Sequence, residues 1–104
     1  MNTLEDKKGE NILLMDIQNI ASFADYFVLC SGTRNRMLES LAKSVQEAAK
    51  MSFGINSQVE GESNDGWMLV DLGDVVVHLF SPEQRDYYGI EELWERGKEL
   101  LRLQ

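Results

Sequence analysis

The spacing of apolar residues changes several times along this chain, and each change predicts an element. From Asn11 to Gln18, Ile12, Leu13, Leu14, Met15 and Ile17 crowd together without helical spacing, which predicts a strand buried on both faces. A second apolar run, Tyr26 to Cys30, follows a short connection through Ala21-Ser22-Phe23-Ala24-Asp25, and Ser31-Gly32-Thr33 then breaks it and offers a hydroxyl as helix cap. Over residues 34–51 the period becomes helical: Met37, Leu38, Leu41, Ala42, Val45, Ala48 and Ala49 fall on one stripe, and Gly54 ends it. Asn56 to Glu60 is a short strand candidate and Gly61 to Gly66 a polar loop. Trp67 to Phe80 alternates as a β-hairpin turning at Leu72-Gly73. Ser81-Pro82-Glu83-Gln84 carries the signature of a helix start, with Ser81 as cap, Pro82 in the first turn and Gln84 in the capping-box position. Gly89 interrupts that helix, and Ile90, Leu93, Trp94, Gly97, Leu100 and Leu101 resume a helical stripe to the end. Residues 1–10 are polar and read as a frayed start or the remnant of a helix. Strands alternating with helices and a late hairpin predict one α/β domain over residues 1–104, with a mixed sheet of about five strands flanked by helices.

The hairpin register sorts its side chains. With Leu72 and Gly73 as turn residues, Met68, Val70, Val75, Val77 and Leu79 share one face, which is wholly apolar and must point to the core. The other face holds Trp67, Leu69, Asp71, Asp74, Val76 and His78: an aromatic, two aliphatics, the single histidine and two carboxylates. An apolar centre with a polar rim is the composition of a protein-recognition patch. A second layer of helices over this face, with His78 a core histidine, would give the same pattern.

Charge sharpens the first alternative. The chain of 104 residues carries a formal net charge of −8. Between Met51 and Gln84 it has Glu60, Glu62, Asp65, Asp71, Asp74 and Glu83 and neither Lys nor Arg, so most of the net charge lies in one third of the sequence. A segment without basic residues cannot neutralise phosphates, which disfavours direct nucleic-acid binding there and favours a basic protein partner or a metal. No apolar run approaches the roughly 20 residues of a membrane-spanning helix, and no signal-peptide pattern opens the chain, so a cytoplasmic protein is expected.

Catalytic constellations are weak. Cys30 ends an apolar strand, where a free cysteine is commonly inert packing, and it would need His78 beside it to act as a nucleophile. Asp71, Asp74 and His78 match no metal-ligand spacing, so neither metal nor cofactor is expected. Ser31-Gly32-Thr33, between a strand and a helix, is a place where backbone amides could cradle a phosphate, but it lacks the P-loop lysine and the longer glycine pattern.

Several runs together resemble a known family. Asp25-Tyr26-Phe27-Val28-Leu29-Cys30-Ser31-Gly32-Thr33, Val59-Glu60-Gly61, the hairpin Trp67…Val70-Asp71-Leu72-Gly73-Asp74-Val75-Val76-Val77-His78, and Tyr88…Leu93-Trp94 are similar in order and spacing to the Iojap family of ribosomal silencing factors, over residues 9–95. The resemblance implies a non-enzymatic translational repressor. Such a factor binds the large ribosomal subunit through the large-subunit protein numbered fourteen and sterically blocks the small subunit, lowering protein synthesis under nutrient limitation. It also implies a nucleotidyltransferase-like fold, although no Gly-Ser turn closely followed by an Asp-x-Asp pair is present. Family members open with a longer helix than residues 1–8 allow, so that helix is expected to be shortened here. Combined with the pattern, the expected partner-binding set is Trp67, Leu69, Asp71, Asp74, Val76 and His78, with Glu60 and Glu62 as further rim carboxylates. The partner would be a basic ribosomal protein, without sequence-specific nucleic acid or membrane, and the factor itself a monomer or homodimer. The alternative is a nucleotide-binding or nucleotidyltransferase enzyme using the Ser31–Thr33 turn.

Overall fold

The apolar runs become strands of one sheet. The computed structural model describes Leu4, residues 9–18 and 24–89, and the backbone of residues 98–103. In chain order the elements are β1 (Glu10–Asp16), β2 (Tyr26–Ser31), α1 (Asn35–Phe53), β3 (Gln58–Glu62), a 3₁₀ turn (Ser63–Asp65), β4 (Trp67–Asp71), β5 (Val75–Phe80), α2 (Pro82–Tyr88) and β6 (Lys98–Leu103). The six strands lie in the order β3-β4-β5-β2-β1-β6. The pair β2 and β5 is parallel and every other pair antiparallel, so the sheet is mixed as expected.

The expectation of helix to the end of the chain is overturned at residues 98–103, which pair antiparallel with β1. Lys-Glu-Leu-Leu-Arg-Leu has good helix formers throughout, and only a partner strand some 85 residues earlier in the chain makes it a strand. Residues 1–3 and 5–8 of the polar start, the connection at residues 21–23, and the stripe through Ile90, Leu93, Trp94 and Gly97 lie outside the described residues, while Glu10 already belongs to β1.

Helix α1 packs its predicted stripe on one face of the sheet. Leu38, Leu41, Ala42 and Val45 share a core with Ile12, Val28, Cys30, Met68, Val70, Val77 and Leu79. The helix ends where glycine was expected to end it: Gly54 adopts φ +67°, a left-handed cap that L side chains disfavour, and its N–H reaches back to the last turn. Its start differs from expectation. Arg34, not a hydroxyl residue, is the N-cap, and no side chain caps the first turn. Helix α2 starts as the sequence indicated, with Ser81 Oγ accepting from the Gln84 N–H at 3.3 Å and Gly89 closing it at φ +57°.

The opposite face of the sheet carries a second core of Leu13, Met15, Ile17, Ala24, Phe27, Leu29 and Phe80, with Trp67 and Val76 half-buried against it. The hairpin that feeds both faces turns one residue later than expected. Leu72 N–H donates to the Val75 carbonyl, leaving Gly73-Asp74 as the two-residue connection, and Leu69 pairs with His78 rather than with Val76. Gly73 explains the shift, because its φ of +95° suits the first central position of a tight hairpin turn. Moving the turn by one residue shifts the pairing by two, so every strand residue keeps its predicted face.

Candidate functional site

Strand β3 joins the hairpin antiparallel, with Glu60 opposite Leu69 and Glu62 opposite Trp67. Cross-strand partners point to the same side, so three rows run over this face. They are Glu62–Trp67–Phe80–Ser31, Glu60–Leu69–His78–Leu29, and Gln58–Asp71–Val76–Phe27. Glu60, Glu62, Trp67, Leu69, Asp71, Val76 and His78, seven of the eight expected site residues, therefore share one face. Exposure grades across it: Glu60, Glu62 and Asp71 are exposed, Trp67, Leu69 and Val76 half-buried, and His78 buried.

Asp74 is the exception. As a central residue of the turn it leaves the strand ladder, and it borders the groove on the other face beside Val45, Leu72 and Val75. Its carbonyl accepts from the N–H groups of Asp25 at 2.7 Å and Tyr26 at 3.1 Å, which ties the hairpin tip to the start of β2. Asp71 also serves the turn, its Oδ1 accepting from the Gly73 N–H at 2.8 Å.

His78 does not form part of the surface. It is 6% exposed and lies beneath Trp67, whose indole N–H donates a long 3.4 Å hydrogen bond to His78 Nδ1. Accepting at Nδ1 places the proton of the neutral ring on Nε2, which is buried and has no hydrogen-bond partner among the described residues. Phe27 meets the imidazole edge-on at 4.6 Å between centroids, and Phe80 stacks at 5.9 Å. Burial in this aromatic setting pulls the imidazole pKa down to about 4. His78 thus holds the Trp67 ring in place from below.

Helix α2 adds residues that the pattern did not single out for the site. Tyr88 lies against Trp67 with ring centroids 4.5 Å apart. Arg85, one turn earlier and buried, fastens the helix to the sheet: its guanidinium donates to the Asn11 carbonyl at 2.6 Å and to Ser31 Oγ at 2.9 Å. Between β3, β4 and α2 opens a cavity of about 500 Å³, bordered by Glu60, Asn64, Asp65, Trp67, Leu69 and Tyr88. Of its lining, Glu60, Trp67 and Leu69 belong to the expected set, and Asp65 was visible only as part of the stretch devoid of Lys and Arg.

The catalytic alternatives fare differently. Cys30 belongs to the core under α1 while His78 lies on the other face, so the sheet separates them. Burial also raises the Cys30 thiol to about 11. In the Ser31–Thr33 turn, Ser31 is buried with its hydroxyl bound to Arg85, and the Gly32 N–H donates to the Phe80 carbonyl at 2.8 Å. The Ser31 hydroxyl and the Gly32 N–H are thus engaged internally. Among the described residues no three His, Cys, Asp or Glu side chains are grouped to hold a metal ion, and no described helix is long and apolar enough to cross a membrane.

A profile described as "Ribosomal silencing factor during starvation" matches residues 1–103. The chain belongs to the ribosomal silencing factor family. It is 39% identical over 90 residues to the ribosomal silencing factor RsfS of Bacillus subtilis, covering 86% of this chain and 76% of that one. A crystal structure of a protein from Chromobacterium violaceum superposes with a TM-score of 0.85 at 41% identity, covering 90% of this chain and 78% of that one. The mouse protein named for mitochondrial assembly of the ribosomal large subunit is 30% identical over 97 residues, which span 90% of this chain and 42% of that protein. Membership makes this chain a member of a family of ribosome-associated translational regulators. The single α/β domain with a mixed sheet expected from the residue pattern is the one observed.

Proposed function

We propose that this silencing factor docks on the large ribosomal subunit through the sheet face formed by β3, β4 and β5, and that its bulk there keeps the small subunit from joining. The observation that carries this reading is the graded face itself. Half-buried Trp67, Leu69 and Val76 form an apolar centre, and exposed Glu60, Glu62 and Asp71 edge it with negative charge. An apolar centre gives affinity on desolvation, and a charged edge selects a basic partner. Ribosomal proteins are in general basic, and the large-subunit protein numbered fourteen is the one that the family resemblance suggests. The outcome would be lower protein synthesis when nutrients are scarce, in the cytoplasm, with no reaction catalysed.

The test is co-sedimentation of the protein with purified large subunits, followed by addition of small subunits. The wild type should pellet with large subunits and reduce the yield of joined ribosomes. Trp67→Ala should weaken binding by roughly 2–4 kcal/mol, the loss typical of an anchoring aromatic. Asp71→Lys should weaken it less. If both variants bind as the wild type does, with unchanged circular dichroism, this face is not the interface.

A further inference from the structure

The cavity beside Trp67 has a chemistry of its own. Trp67 and Tyr88 wall one side, tilted 46° to each other with centroids 4.5 Å apart. Glu60 and Asp65 border it as exposed carboxylates, and neither has a hydrogen-bond or ion-pair partner among the described residues. Among the described residues, no basic side chain borders it. Two glycines hold the walls this close. At Gly61 an added Cβ would come within 2.5 Å of the Trp67 carbonyl oxygen, and at Gly66 within 2.7 Å of Ser81 Oγ. Both glycines also have positive φ, which other residues adopt at a cost.

We propose that this cavity is a socket for a single arginine side chain presented by a protein partner. A guanidinium is flat and weakly hydrated, so it stacks on aromatic faces while its N–H groups remain free to donate sideways to carboxylates. An indole and a phenol on one side with two unpaired carboxylates at the margin supply both halves of that recognition. A volume of about 500 Å³ admits the whole side chain and is far larger than a bare ion requires. An ammonium would satisfy the carboxylates but loses the planar stacking, so lysine is the weaker occupant. The assignment rests on the docking reading for which surface the partner approaches, but the socket itself is testable without ribosomes.

The full chain, labelled with ¹⁵N, is titrated with N-acetyl-arginine methylamide, the citrulline equivalent and the lysine equivalent, following the Trp67 indole and the Gly61 and Gly66 amides. The arginine compound should give saturable shifts confined to these groups, with a dissociation constant in the millimolar range. The neutral citrulline compound should bind about tenfold more weakly or worse. Glu60→Gln with Asp65→Asn, both at exposed positions, should abolish saturation, and Tyr88→Leu should weaken it severalfold. Equal responses to arginine and citrulline, unsaturable shifts spread over the acidic surface, or undiminished binding by the double variant would overturn the socket. Lysine binding as tightly as arginine would overturn the choice of a guanidinium. Loss of co-sedimentation in the wild type with arginine binding intact would sink the docking reading alone, whereas absent arginine binding with normal co-sedimentation would sink the socket alone.

Discussion

At the scale of single residues, the pair Trp67 and His78 makes the clearest demand on pH. The imidazole is neutral in the fold because charging it would require solvation that its aromatic surroundings do not provide. Unfolded, the same ring titrates near 6.5, so below that pH the unfolded chain binds a proton that the folded chain refuses. Stability contributed by this group is therefore full above about pH 6.5 and is lost as pH falls toward 4. Between pH 6.5 and 5 the loss should be about 1.5 kcal/mol, the slope rising toward 1.36 kcal/mol per pH unit below the unfolded pKa. Urea midpoints across this range should decline for the wild type and stay flatter for His78→Phe, which has nothing to protonate. Identical slopes would mean that other groups govern the pH dependence. The buried thiol gives a second expectation. With a pKa raised to about 11 and no exposure, Cys30 should react with a disulfide reagent at pH 8 only after unfolding in urea.

At the scale of elements, what could be read from the sequence was whatever local pattern decides. The stripe of α1, its glycine stop, the Ser81-Pro82 start of α2 and the alternation of the hairpin all appeared where residue spacing placed them. The strand residues of the candidate face survived a misplaced turn, because a two-residue shift in pairing preserves sidedness, and only Asp74, drawn into the turn itself, was lost from it. What escaped were decisions made by distant parts of the chain. Strand β6 needs β1 as its template, the burial of His78 needs the neighbouring aromatic side chains, and Tyr88 reaches the site only because α2 is pinned to the sheet. Arg85 does the pinning, through a carbonyl that faces it where the β1–β2 pairing is irregular: Asn11 has φ +48° and the register shifts between Glu10 and Leu13. Arg85→Met would keep most of the buried length of the side chain but leave the Asn11 carbonyl and Ser31 hydroxyl without this donor. We expect a loss of roughly 3 kcal/mol, measurable as a lower urea midpoint. A change under 0.5 kcal/mol would show that α2 is held by its apolar contacts instead.

At the scale of the molecule, the uneven charge acquires a division of labour. Of the six carboxylates between Met51 and Gln84, Asp74 sits at the hairpin tip toward the other face, and Glu83 occupies the first turn of α2, where it complements the helix dipole. Glu60, Glu62, Asp65 and Asp71 remain around the candidate face and its cavity. Exposed charges at a rim are screened over about 8 Å at physiological salt, so their contribution to a docked complex is modest, but they attract a basic partner during its approach. The combined variant Glu62→Gln and Asp71→Asn, which leaves the socket carboxylates in place, should therefore slow association with large subunits severalfold at low salt and leave dissociation nearly unchanged. Raising the salt should slow the wild type until the two rates converge, since screening removes in the wild type what substitution removes in the variant. Trp67→Ala should do the reverse, quickening dissociation with little effect on association, because an apolar anchor acts once water has been expelled. Surface-captured large subunits and stopped-flow mixing at several salt concentrations separate the two. Faster dissociation in the charge variant, persisting at high salt, would place these carboxylates inside the contact rather than around it.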